Sequence, residues 1–174
     1  MNIVQYPDPR LRKKNAPVTD FGPELEATAR EMFEVMYATQ GVGLAAPQVG
    51  LNIQLLVYNP TGSSEEKAEE KVLCNPKMVF KSREKEDGQE GCLSFPDVNG
   101  VVNRPIKVKV EALDLKGEKF ELELEDWDAR IFQHELDHLD GILFIDRMTP
   151  ATKSQAKPVL EDLVHAYKES LAGS

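Results

Sequence analysis

Cysteine is nearly absent from this chain, with only Cys74 and Cys92 in 174 residues. Two thiols cannot build a disulfide framework, and beside a sequence without secretory features they read as reduced. Long apolar runs are also missing. No segment approaches the ~18 apolar residues of a membrane span, and Met1-Asn2-Ile3-Val4-Gln5-Tyr6-Pro7 has no basic stretch leading into an apolar one. These absences predict a cytoplasmic address, with the mature form of an organellar protein as the alternative. Positive charge is in deficit: 21 Lys and Arg against 30 Asp and Glu leave a net −9, which argues against a broad nucleic-acid surface and serves solubility instead. No repeat of 20–50 residues is present, so solenoids and propellers are excluded.

What is present suits one α+β domain spanning 1–174. Pro7, Pro9 and Pro17 break up residues 5–20 and suggest a strapped-down arm, whose Arg10, Arg12, Lys13 and Lys14 read as solvated. From Pro23, Leu25, Ala29, Met32, Phe33 and Met36 recur at helical spacing until Gly41. Ile53 to Val57 reads as a buried strand, 60–71 as an exposed charged loop without chemistry, Val72 to Phe80 as a short strand pair, and Ser82 to Gln89 as another charged excursion. Ile106, Val108, Val110 and Ala112 alternate with charges, as do Phe120, Leu122 and Leu124, which predicts a hairpin turning at Lys116-Gly117. Asp126 or Asp128 can cap a helix that runs through His134 and His138 to Gly141. The C-terminal stretch 150–174 carries Leu160, Leu163, Val164, Tyr167 and Leu171 on one helical face after Pro158.

The most specific segment is Gln133-His134-Glu135-Leu136-Asp137-His138. It sets two imidazoles at i and i+4 on one helical face, where they can share a cation, and puts Glu135 within reach of a water on that cation. HExxH also occurs by chance, and its bland alternative is an ordinary helix with two polar histidines. No third His follows at the spacing of zinc peptidases, and His165 falls off the apolar stripe of the last helix, so it reads as a surface residue. Cys92, in Glu90-Gly91-Cys92-Leu93-Ser94, is the better third ligand, because a thiolate in a short extended run beside Gly can be laid against a helix. Its bland alternative is a small buried hydrophobe. Gly41-Val42-Gly43-Leu44-Ala45-Ala46-Pro47-Gln48 is a small-residue loop along which a substrate can lie, and Gln48 is its one amide donor.

These three segments, in this order, resemble the three signature motifs of the peptide deformylases, enzymes that remove the N-formyl group from nascent polypeptides. Tyr6-Pro7-Asp8-Pro9 and Leu139-Asp140-Gly141-Ile142-Leu143 agree as well, so the resemblance spans 1–148. It implies a fold of antiparallel sheets packed around a central metal-binding helix, with an N-terminal and a C-terminal helix. It also implies that Cys92, His134 and His138 bind one divalent metal, Fe²⁺ natively, with Zn²⁺, Ni²⁺ or Co²⁺ able to replace it. Glu135 would be general base and acid, Gln48 and the Leu93 N–H would stabilise the oxyanion, and Arg104 would pair with Glu90. Val42, Gly43 and Ile131 are the candidates for the methionine pocket, since Ile131 lies one turn before His134. The expected partner is a nascent formylated polypeptide near the ribosome exit, and a monomer is expected, with a dimer as the alternative. Two competing readings are a zinc endopeptidase and a closed structural site of Cys74, Cys92, His134 and His138.

Overall fold

The computed structural model describes residues 1–173 and orders ten elements along the chain. They are α1 (Pro23–Ala38), β1 (Gly43–Ala45), β2 (Leu55–Tyr58), β3 (Lys71–Lys81), β4 (Lys85–Cys92), β5 (Phe95–Pro105), β6 (Lys107–Leu113), β7 (Lys119–Glu125), α2 (Asp126–Leu139) and α3 (Pro150–Ala172), with short 3₁₀ turns between several of them. β1, β2, β3, β6 and β7 form one antiparallel sheet in that order, and β4 with β5 forms a separate hairpin. This is the α+β arrangement of antiparallel sheets around a central helix, with helices near both ends, that the motifs imply.

Strand β2 explains why the sheet is covered on both faces. All four of its residues are buried, and alternation sends Leu56 and Tyr58 into a core shared with α2 while Leu55 and Val57 join α1. At ~1.5–3 kcal/mol for each large apolar side chain taken out of water, these four residues and the helices they meet hold α1 and α2 on opposite sides of one sheet. α1 contributes Leu25, Ala29, Met32, Phe33 and Met36 to that packing. α2 contributes Ala129, Ile131, Phe132 and Leu139, leaving Gln133, His134 and Asp137 for another face.

Four local expectations need correction. Val72 to Phe80 lies within one long strand rather than a pair. Its register shifts after Cys74, where Asn75 takes φ +51° and its side chain bonds both the N–H and the C=O of Val18. The charged stretch before Gln89 is mostly strand: β4 shows no hydrophobic period, because its one buried side chain is Glu90. Glu125, in extended backbone, is the N-cap of α2, and no side chain supplies the cap hydrogen bond, so neither Asp126 nor Asp128 does. The C-terminal helix expected over 150–174 is present as α3, Pro150–Ala172, with Pro158 inside it. The arm cations are not merely solvated: Arg10 pairs with Asp8, and Arg12 with Asp146 and the Gly141 carbonyl. Arg12 thereby straps the N-terminal arm to the segment that follows α2.

The 60–71 segment is charged but anchored. Asn59, fully buried, donates to Tyr37 Oη and to the carbonyls of Ser63 and Glu66, and Trp127 Nε1 donates to the Pro60 carbonyl. No helix among the described residues is long and apolar enough to cross a membrane.

Candidate metal centre

Two elements bring the site together. α2 presents His134, Glu135 and His138 toward the β4–β5 hairpin, and β4 ends at Cys92. The Cys92 Sγ and the ring nitrogens of His134 and His138 lie within 4.8 Å of one another, with Sγ 3.3 Å from His138 Nε2. One cation with bonds of about 2.0–2.3 Å can draw such a group together. The donor chemistry fits: one soft thiolate and two imidazoles suit a first-row divalent ion. Cys74 is not in this group. It is fully buried in the core against α1, and burial pushes its thiol up to about 11. A four-ligand site that includes it is not what the fold builds.

The histidines are oriented differently. His134 Nδ1 lies 2.9 Å from Glu90 Oε1, which leaves Nε2 for the ligand group. Burial opposes charge on His134, but hydrogen bonds with Cys92 and Glu90 overcome it and hold the imidazole well above its ordinary value. His138 goes the other way: burial, then the neighbouring His134, holds it well below, in the neutral form that a ligand needs. Its Nδ1 is buried without a hydrogen-bond partner.

Glu90 is held by charge. Arg104 Nε donates to its Oε2 at 2.6 Å and Nη2 to its Oε1 at 2.9 Å, while Arg130 Nη1 reaches Oε2 at 2.6 Å. Burial alone would raise this carboxyl, yet the Arg104 and His134 hydrogen bonds bring it down to about 2. Arg104 also donates to Asp137 Oδ2, and Arg147 donates to both oxygens of the same carboxylate, Nε to Oδ2 and Nη2 to Oδ1. The Arg104–Glu90 pair is the one implied by the resemblance. Arg130, Asp137 and Arg147 escaped the sequence reading. The available signal was Arg130 itself, a cation one turn before His134 on a helix whose neighbouring residues are buried.

Glu135 sits at the floor of an open cleft of about 530 Å³, lined among others by Val42, Gly43, Gln48, Cys92, Leu93 and Ile131. Burial pushes its carboxyl up to about 7, and its Oε1 has no hydrogen-bond partner. Gln48 is 1% exposed, not a solvent-facing turn residue. Its Oε1 accepts from the Ala45 N–H at 3.0 Å, which turns Nε2 toward Cys92 Sγ at 3.4 Å and Ser94 Oγ at 3.1 Å. His165 lies elsewhere, exposed and paired with Glu169.

An α+β scaffold that converges one cysteine sulfur and two imidazoles beside a buried carboxyl group defines a protein with a candidate site for one metal ion. The chain belongs to the polypeptide deformylase family, whose model matches residues 1–154. It is 47% identical over 169 residues to peptide deformylase 1B, chloroplastic, of Solanum lycopersicum, covering 97% of this chain and 60% of that protein. It is 43% identical over 162 residues to the peptide deformylase of Acinetobacter baumannii, covering 93% of this chain and 90% of that one. The chain thus spans about three-fifths of the length of the plant relatives it matches. A crystal structure of an Arabidopsis thaliana peptide deformylase 1B mutant superposes with a TM-score of 0.96 at 48% identity, covering 98% of this chain and 92% of that one. One of the Plasmodium falciparum enzyme gives 0.94 at 42%, covering 97% and 98%.

Proposed function

We propose that this protein hydrolyses the formamide bond at the N-terminus of formyl-methionyl polypeptides, releasing formate and a free amine. The observation that carries the reading is the convergence of Cys92, His134 and His138 with a buried Glu135 at the floor of an open cleft. A zinc endopeptidase reading gains nothing comparable, since no relative described above is one.

Cys92, His134 and His138 would hold a single divalent ion, Fe²⁺ in the native protein. When bound, such an ion polarises a carbonyl and lowers the pKa of water from about 15.7 toward roughly 7–9. Glu135 accepts the proton of the attacking water through its free Oε1 and returns it to the leaving nitrogen. That oxygen is buried without a hydrogen-bond partner, so it is open to the proton. Gln48 Nε2 exchanges its weak sulfur contact for the developing oxyanion, with the Leu93 N–H as second donor. Glu90 fixes the His134 ring while Arg104 keeps that carboxylate charged. Val42, Gly43 and Ile131, along the cleft, receive the methionine side chain, because a formyl group is too small to carry specificity.

The substrate is a nascent polypeptide near the ribosome exit, and a monomer suffices, since every proposed group comes from one chain. The compartment is the cytoplasm, or a chloroplast, as the names of the plant relatives state for those proteins. The test is formate release from a formyl-Met peptide by protein loaded in turn with Fe²⁺, Ni²⁺ and Zn²⁺. Formate release that depends on metal supports the reading, and cleavage of unformylated internal peptides with no formate released overturns it.

A further inference from the structure

Arg130 reaches three partners at once. Its Nη1 donates to Glu90 Oε2 at 2.6 Å and to the Val102 carbonyl at 2.9 Å, and its Nη2 donates to the Glu86 carbonyl at 2.7 Å. One side chain on α2 therefore ties down both strands of the β4–β5 hairpin, including the strand that ends at Cys92. The contact depends on Gly88. A Cβ on Gly88 would fall 2.5 Å from Arg130 Cζ and 2.6 Å from Nε, so the guanidinium fills the space a side chain there would occupy. Gly88 is not among the glycines with positive φ, so the requirement is for room and not for backbone freedom.

The consequence reaches the ligands. Glu90 Oε2 already accepts from Arg104, and Arg130 takes a second site on the same oxygen, while Oε1 faces His134 Nδ1. Rotation of the carboxylate away from His134 breaks the Arg130 contact as well. We propose that Arg130, in the space left by Gly88, is a positioning residue for the metal centre. It holds Glu90 against His134 and fixes the distance of Cys92 on β4 from the histidines on α2. This inference rests on the reading that Cys92, His134 and His138 bind a metal. It concerns a contact distinct from the Arg104–Glu90 pair.

The test uses the full chain loaded with Co²⁺, whose visible and near-ultraviolet absorption reports thiolate ligation and ligand geometry. The native protein takes up one equivalent with a thiolate charge-transfer band. Arg130→Ala is expected to release Co²⁺ to a competing chelator about 10–100-fold faster and to shift the visible bands, the scale at which partners of metal ligands act. Arg130→Lys, which restores charge but not the three-way contact, remains faster than native. Gly88→Ala, which keeps the arginine but takes its space, speeds release in the native background and adds nothing to Arg130→Ala. A native release rate and spectrum in both Arg130→Ala and Gly88→Ala overturn the inference and leave the metal site standing. A native chain that takes up no Co²⁺ overturns both.

Discussion

Gly43 and Glu135 share one small space: a Cβ on Gly43 would lie 2.5 Å from Glu135 Oε2 and 3.0 Å from its Cδ. The absence of a side chain at 43 is what lets the carboxylate stand beside the β1 backbone. Gly43→Ala must therefore push Glu135 away from its place in the cleft, and under the proposed mechanism from reach of both the attacking water and the leaving nitrogen. A misplacement near 1 Å costs about 10²-fold in comparable cases, so kcat should fall on the order of 10²-fold with metal content unchanged. Steady-state kinetics on formyl-Met peptide with metal analysis on the same samples checks this, and a near-native kcat would remove the geometric argument.

The buried Glu135 also leaves a signature in stability, free of any assay of activity. Its carboxyl is pushed up to about 7, from an ordinary 4.5, first of all by burial. The folded metal-free chain thus holds this proton more tightly than the unfolded chain. That contribution is fully present below 4.5 and is lost as pH rises through 7, a loss of as much as about 3 kcal/mol. Glu135→Gln has no such charge to bury. Metal-free Glu135→Gln should therefore resist urea better than metal-free native protein at pH 8, and the two should converge by pH 4.5. Parallel curves across that range would show that Glu135 ionises freely in the fold.

Gln48 is placed by its own backbone loop. Ala45 N–H binds Oε1, so the amide cannot flip, and Nε2 must face Cys92 and Ser94. Losing one such donor costs about 10²–10³ in kcat in comparable sites. Gln48→Ala should show that loss with KM little changed, whereas Gln48→Glu, which presents oxygen to the developing charge, should be at least as slow. A rate within a few-fold of native in Gln48→Ala would take this residue out of the chemistry.

The two halves of the site were unequally legible in the sequence. His134, Glu135 and His138 could be placed on one helical face because local spacing alone decides which residues share a turn. Cys92 and Gln48 are brought there by β4 and the loop after β1, over 40 residues away in sequence; ligand chemistry alone made Cys92 a candidate, and the resemblance joined Gln48 to the helix. β4 hid itself: a strand whose buried face is an ionic network carries no alternating hydrophobic signal, so a period-2 search finds only charge. The same network supplied what was missed. Arg130, Asp137 and Arg147 look like ordinary helix and loop charges until folding sets Arg130 on Glu90, Asp137 on Arg104 and Arg147 on Asp137. The apolar stripe of α1 was the most readable feature, because each of its five residues is buried, whereas on α3 the stripe is only half-buried and Leu171 is exposed.

Cys74 offers the sharpest separation of an open site from a closed one. It lies in β3 opposite Leu55, in the apolar core against α1, with its thiol raised to about 11 by burial and then by Asp114. It lies outside the group that Cys92, His134 and His138 form, so it is not placed to be a ligand. Cys74→Ala should therefore keep one metal per chain and full activity, at a stability cost of about 1 kcal/mol for the lost packing. Cys92→Ala, by contrast, should lose the metal with the thiolate. Loss of metal from Cys74→Ala would mean that the fourth position is taken by the protein, and no room would then be left for a substrate at the centre. Thiol titration of the native metal-free chain gives an independent check, since only Cys92 should react before unfolding.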